Sequence, residues 1–233
     1  MNKAKATSSN AVSRISHGRK RLNAEDRRED ILLASIKYFA THGFMGSTRE
    51  LAKEIGVTQP LLYRYFPSKA DLIDAVFEEM YARQRQFHWE DDLSDRSRPI
   101  SDRMVEFFAS YAERTYTYEW IRIYTFAGLL DGALNRRYIR RITEPVLRRI
   151  CVEVMVENGY PEPRPESITV QELDILWILH GGLFYFAIRK FVYGEDPKRS
   201  LDFPIREGVK QAVASLSELH PKRKSTQKQS AAA

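Results

Sequence analysis

From Ser47 to Lys69 the chain reads STRELAKEIGVTQPLLYRYFPSK. Hydroxyl, amide, guanidinium and ammonium groups alternate there with leucine, isoleucine and phenylalanine. Such polar groups suit hydrogen bonding to phosphate oxygens and base edges. Arg49 carries the planar fork that meets guanine in bidentate fashion. The hydroxyls of Tyr63 and Tyr65, the Lys69 ammonium and the N-termini of short helices suit phosphate.

These groups need helices to aim them. Ser47 or Thr48 can cap a short helix whose inner face is Leu51, Ala52 and Ile55. Gly56 allows a tight turn. Thr58 caps a further helix, with Gln59 and Pro60 in its first turn, where proline's missing N–H costs nothing. Leu62 and Phe66 stand i and i+4 and share a face. At ~100° per residue, Tyr63, Arg64 and Tyr65 cannot all join them. Gln59, Leu61, Tyr63 and Tyr65 are left around the solvent side, and Arg64 is open to the simpler role of pairing with an acid. Two short helices about a glycine turn make a helix-turn-helix, which reads base edges through the N-terminal residues of its second helix.

The flanks complete the unit. In NAEDRREDILLASIKYFATHGF, acids occupy the first turn and Ile31, Leu32, Ser35, Tyr38 and Phe39 form a helical stripe that Gly43 stops. Ser68 and Asp71 form a capping-box pattern that opens a longer helix through Met80.

From Arg28 to Met80 the sequence resembles the TetR family of bacterial transcriptional regulators. The resemblance is carried by Ala34, Phe39, Gly43, Thr48, the run LAKEIGV into the turn, and LYRYFPSK. It implies that Thr48, Thr58, Tyr63, Tyr65 and Lys69 meet the DNA backbone. It also implies that Arg49, Gln59, Pro60 and Leu61 face bases. Leu61 is bulkier and more apolar than usual at its position, which suits a thymine methyl.

The chain has 233 residues, 43% of them apolar and 29% charged, with a formal charge of +6. The basic excess lives in two tails. Residues 1–24 carry six Lys/Arg and no acid, and residues 221–233 carry four and no acid, whereas the chain between them is net acidic. Such tails are either nucleic-acid arms or solubilising disorder. One cysteine, Cys151, excludes an intrachain disulfide and a cysteine metal cluster and fits a cytoplasmic protein. No signal-peptide pattern opens the sequence. The longest apolar run, about Ile175 to Ile188, falls short of the ~20 residues of a membrane span and reads as a buried helix.

The expected architecture is all-α. Residues 25–72 form the helix-turn-helix unit, residues 73–220 a second helical domain, and residues 1–24 and 221–233 the tails. Helices are expected over Pro99–Thr117, Glu119–Gly128, Ala133–Asn158, Ile168–Tyr193 and Ile205–Leu219. The resemblance implies that the second domain binds an effector and dimerises, its last two long helices forming a four-helix bundle across a homodimer. Dimers of this kind read palindromic double-stranded DNA, with half-sites ~34–36 Å apart. Pockets are mainly apolar and aromatic with a few polar groups. Tyr111, Trp120, Tyr124, Phe126, Trp177, His180, Phe184 and Tyr185 are therefore the candidates for a small-molecule effector site. Each also fits a core or interface. In LNRRYIRRITEPVLRRI six arginines suggest an anion site, but Arg140–Glu144 and Arg149–Glu153 at i, i+4 favour a solvated, ion-paired face.

Enzymatic chemistry finds little support. HGG at residues 180–182 has no accompanying G-x-S-x-G turn. No phosphate loop or dinucleotide fingerprint occurs. The histidines at 17, 42, 88, 180 and 220 lack metal-ligand spacing, and no cofactor is implied. The sequence thus favours a ligand-released repressor. A regulator of the same fold answering to a protein partner is the alternative: an internal cavity would favour the first, a filled core with an exposed apolar patch the second.

Overall fold

The computed structural model describes residues 23–85, 89–195 and 200–223. Most of both basic tails, and His17 and His88, lie outside the described residues. All regular elements among the described residues are helical, as the hydrophobic periodicity predicts.

Helix α1 (Ala24–His42) starts where Asn23 accepts from the Asp26 amide and stops at Gly43, whose φ of 69° suits glycine. Helix α2 (Thr48–Glu54) is capped by Ser47, which forms a reciprocal capping box with Glu50. Gly56, at φ 74°, makes the turn, and Thr58 caps α3 (Gln59–Tyr65). Ser68 Oγ accepts from the Asp71 amide at 3.1 Å to open α4 (Lys69–Arg85). Ile31, Leu32, Phe39, Leu51, Leu62 and Phe66 meet in one core, closed from the far side by Ile123 and Ala127.

Those last two residues belong to the body. It comprises α5 (Trp89–Ser94), α6 (Ile100–Thr115), α7 (Tyr118–Leu130), α8 (Ala133–Tyr138), α9 (Glu144–Glu157), α10 (Val170–Phe191) and α11 (Asp202–Leu219). The stripe of Met104, Phe107, Phe108 and Tyr111 faces its core as expected. The short α5 has no counterpart in the sequence reading. It anchors on Leu93, which is fully buried.

The predicted single helix over Ala133–Asn158 is interrupted by a π-turn at Ile139–Thr143. The extra residue in that turn shifts the register. Consequently Glu144 pairs with Arg148 at 2.7 Å, not with Arg140 as the sequence spacing suggests. The Arg149–Glu153 pair forms at 2.8 Å. Glu153 also receives Arg96 at 3.0 Å and Arg103 at 2.9 Å, tying the α5–α6 connection to α9. Burial opposes ionisation of Glu153, but the hydrogen bonds from Arg96 and Arg103 and the charge of Arg149 outweigh it and hold the carboxyl below its ordinary range. Just before the π-turn, Arg137 reaches Glu78 of α4 at 2.7 Å, and Arg141 within the turn approaches the same carboxylate at 3.7 Å.

Candidate nucleic-acid interface

The inner face of α3 is committed to packing: Leu62 and Phe66 are buried. Its outer face is not. Pro60, Tyr63 and Arg64 are exposed, as is Arg49 at the start of α2. Among the described residues no carboxylate pairs with Arg49 or Arg64, so the simpler role considered for Arg64 is not taken up.

Between the two helices lies a small polar relay. Thr48 Oγ1 sits 2.8 Å from Tyr63 Oη and accepts from Gln59 Nε2 at 3.0 Å. The buried Thr48 hydroxyl therefore fixes how Gln59 and Tyr63 project from α3. Thr58 spends its hydroxyl on the Leu61 amide as the cap of α3. Leu61 and Tyr65 are half-buried along its flanks. The ammonium of Lys69 donates to the carbonyl oxygens of Phe44 and, at 2.7 Å, Gly46. That ties the first turn of α4 to the α1–α2 loop, and an ammonium retains a third N–H for a further acceptor. Gly46 packs closely at this junction: a Cβ there would stand 2.6 Å from Tyr38 Oη, so the tyrosine would have to shift.

Six of the seven principal effector candidates come together in the body, as a packed cluster. Tyr111 Oη lies 3.2 Å from His180 Nε2 and 3.4 Å from Tyr138 Oη. Trp120 stacks on Tyr124 at 4.7 Å, Phe184 meets Tyr124 edge-on at 5.7 Å, and Trp177 meets His180 edge-on at 5.4 Å. The cavity beside Trp120, Tyr124, Tyr138, Phe77 and Met80 measures about 10 Å³. That is room for at most one water. Burial lowers the His180 pKa to about 4, so the imidazole is neutral at physiological pH. The seventh candidate, Phe126, lies elsewhere: its ring packs under Gly43, where a Cβ would come within 3.0 Å of it. Tyr185 points outward from α10 and is exposed.

A larger space opens between α6, α10 and the start of α11. This cleft of about 510 Å³ is bordered by Val105, Ala109, Phe186, Lys190, Phe191 and Ile205. The sequence reading does not single it out, because Ala109 and Val105 carry no chemical signature. It also passes over Arg122 of α7. The guanidinium of Arg122 lies where α1, α7 and α10 converge, and its only sequence signal is one cation inside the aromatic run TYEWIRIYTF.

A glycine-jointed helix pair with a polar outer face, carried on an all-helical body, defines a helix-turn-helix DNA-binding regulator. Residues 31–76 match the family model described as bacterial regulatory proteins, tetR family. The chain belongs to that family. It is 30% identical over 186 residues to the nucleoid occlusion factor SlmA of Vibrio cholerae, spanning 76% of this chain and 90% of the relative. SlmA of Photobacterium profundum is also 30% identical, over 194 residues, with 76% and 90% covered. Among solved structures, a TetR-family transcriptional regulator from Mesorhizobium loti superposes with a TM-score of 0.59 at 13% identity, covering 85% of this chain and 98% of that one. AmtR of Mycobacterium smegmatis gives 0.55 at 23%, covering 88% and 98%. Both structures share the fold. No helix among the described residues is long and apolar enough to cross a membrane.

Proposed function

We propose that this protein is a cytoplasmic homodimer that reads a palindromic double-stranded operator, represses by occupying it, and is released by a small-molecule effector. The observation that carries the DNA-reading part is the outer face of α2 and α3. Arg49 and Pro60 project at the N-terminal ends of the two helices, and the Thr48 relay aims Gln59 and Tyr63. In this reading Arg49, Gln59, Pro60 and Leu61 face bases, while Thr48, Thr58, Tyr63, Tyr65 and Lys69 serve the backbone.

The homodimer is supported by the outer face of α10 and α11. Ile178 and Gly182 stand four residues apart beside Pro204, Gly208 and Gln211 of α11, and Tyr185 is exposed one turn further on. Ile178 is 76% exposed and Phe203 74%, far more than isolated apolar side chains need be. The effector part is supported by the cleft between α6, α10 and α11, whose volume falls in the range of small-molecule sites. The cavity beside Trp120 and Tyr124 is too small for an effector in this conformation. An effector using those two rings must first part them from Phe77, Met80 and Tyr138.

A second reading is favoured by two observations together. The cavity beside Trp120 and Tyr124 has room for no more than a water, and the SlmA relatives are named nucleoid occlusion factors. Such a protein would answer to a protein partner and would occupy many chromosomal sites.

Selection of sites from random duplex DNA at stated salt tests the primary reading. It predicts an enriched palindrome with half-sites about one helical turn apart. Salt-sensitive binding without an enriched site would refute it. Mapping the sites along the chromosome then separates the two readings: a few promoter matches mark an operon repressor, dispersed sites the nucleoid factor.

A further inference from the structure

We infer that Arg122 is a positioning residue for DNA reading: it fixes the angle between the helix-turn-helix unit and the dimerising helix α10, and through that angle the separation of the two half-sites. This rests on the homodimeric reading.

Helix ends leave their last carbonyls without intrahelical partners. At the end of α1, Phe39 O is taken by the Gly43 amide, leaving Ala40 O, Thr41 O and His42 O. Arg122 supplies donors to the first two. Its Nε donates to Ala40 O and one Nη to Thr41 O, at 3.3 Å for the latter. Its other Nη donates to Phe191 O, the last carbonyl of α10, at 3.3 Å. One planar cation on α7 therefore caps the C-termini of two helices from opposite parts of the molecule, and cations at C-termini are favoured by both helix dipoles.

The cation is itself held in place. Its Cζ lies 5.2 Å from the Tyr118 ring centroid and 5.2 Å from that of Phe126. Phe126 in turn lies under Gly43, where a side chain on residue 43 would collide with the ring. Rotation of α1 against α10 thus requires breaking the fork or moving Phe126. A lysine cannot replace the fork, because one ammonium cannot reach three carbonyls in its plane. Phe191 also borders the cleft between α6, α10 and α11. Displacement of α10 there pulls on the same guanidinium that holds α1, so Arg122 also lies on the route from that cleft to the DNA.

The test compares full-length wild type, Arg122→Lys and Arg122→Gln. The duplexes are the selected palindrome, versions with base pairs added or removed between half-sites, and a single half-site. Light scattering gives the oligomeric state, and circular dichroism checks folding. The expected result is that Arg122→Lys remains a folded dimer, binds the single half-site as wild type does, loses about tenfold on the full palindrome and accepts altered spacings more evenly. Arg122→Gln, a planar donor without charge, is expected to keep part of the spacing preference.

A parallel loss on half-site and palindrome would reduce Arg122 to a stabilising contact and overturn the inference. So would an unchanged spacing preference in a dimeric Arg122→Lys or, should that variant not fold, in Arg122→Gln. A monomeric wild type would instead sink the homodimeric reading, and this inference with it.

Discussion

The outer face of the helix-turn-helix and the aromatic cluster of the body both carry polar side chains, tyrosine among them, with opposite treatment. In the reading unit, Arg49 and Arg64 are held by their backbones while their guanidinium groups face solvent. In the body, the hydroxyls of Tyr111 and Tyr138 and the ring of His180 are turned on one another. Polar groups that remain unspent beside a rigid inner face are available to a partner. Polar groups already satisfied must break their existing hydrogen bonds before they can bind anything else, and that costs free energy. Residue type alone does not distinguish the two cases. The state of the neighbours does.

Substitutions that strike one region should leave the other's readout untouched, and the largest effect is expected in the body. Glu153→Ala removes the close carboxylate partner of Arg103, whose side chain is almost wholly buried, and leaves it the Leu93 carbonyl and Glu157 at 3.9 Å. Removing one partner of such a pair costs about 3–5 kcal/mol. Denaturant unfolding should show that loss, with base preference unchanged wherever the protein remains folded.

His180 is the next test. Between its folded pKa of about 4 and the ordinary 6.5, the unfolded chain takes up a proton that the folded chain refuses. Stability therefore falls as pH drops through that window, by about 3 kcal/mol across its span, and His180 contributes no pH dependence above it. Melting of His180→Gln between pH 7 and 4.5 should show a smaller acid-induced loss than wild type. An identical loss would mean that the imidazole is hydrated.

In the reading unit, Arg49→Ala should cost ~1–3 kcal/mol on the selected operator and relax preference at one base position, measured by repeating the site selection. Retained preference there would remove Arg49 from the reading set. Tyr63→Phe is expected to be the mildest, costing ~1 kcal/mol on all duplexes alike, because it deletes one hydroxyl that lies against Thr48 and that the proposed reading assigns to the DNA backbone. A base-selective effect of Tyr63→Phe would break the division of roles between α2 and α3.

The reading unit is legible in the sequence because its signals are local. Ser47, Gly56, Thr58 and Ser68 cap and turn the helices within a few residues of themselves, and Leu62 with Phe66 names the buried face by spacing alone. The body offers periodicity without partners. Helices around α6, α7, α10 and α11 can be located, but nothing local says that Tyr111 meets Tyr138 and His180, or that Phe126 leaves the cluster for Gly43. The π-turn at Ile139–Thr143 is invisible for the same reason: no local signal marks it, and the contacts of Arg137 and Arg141 around it go to Glu78, far away in sequence. Arg122 escapes notice because its partners are backbone carbonyls, which every residue carries.

The central claim, that paired α3 helices read a palindrome, is tested most directly by titrating the selected duplex and a scrambled duplex of equal length at one salt concentration, with stoichiometry measured in the same experiment. The account predicts two chains per selected duplex and an affinity at least ~10³-fold above that for the scrambled one. One chain per duplex, or equal affinity for both, would contradict it.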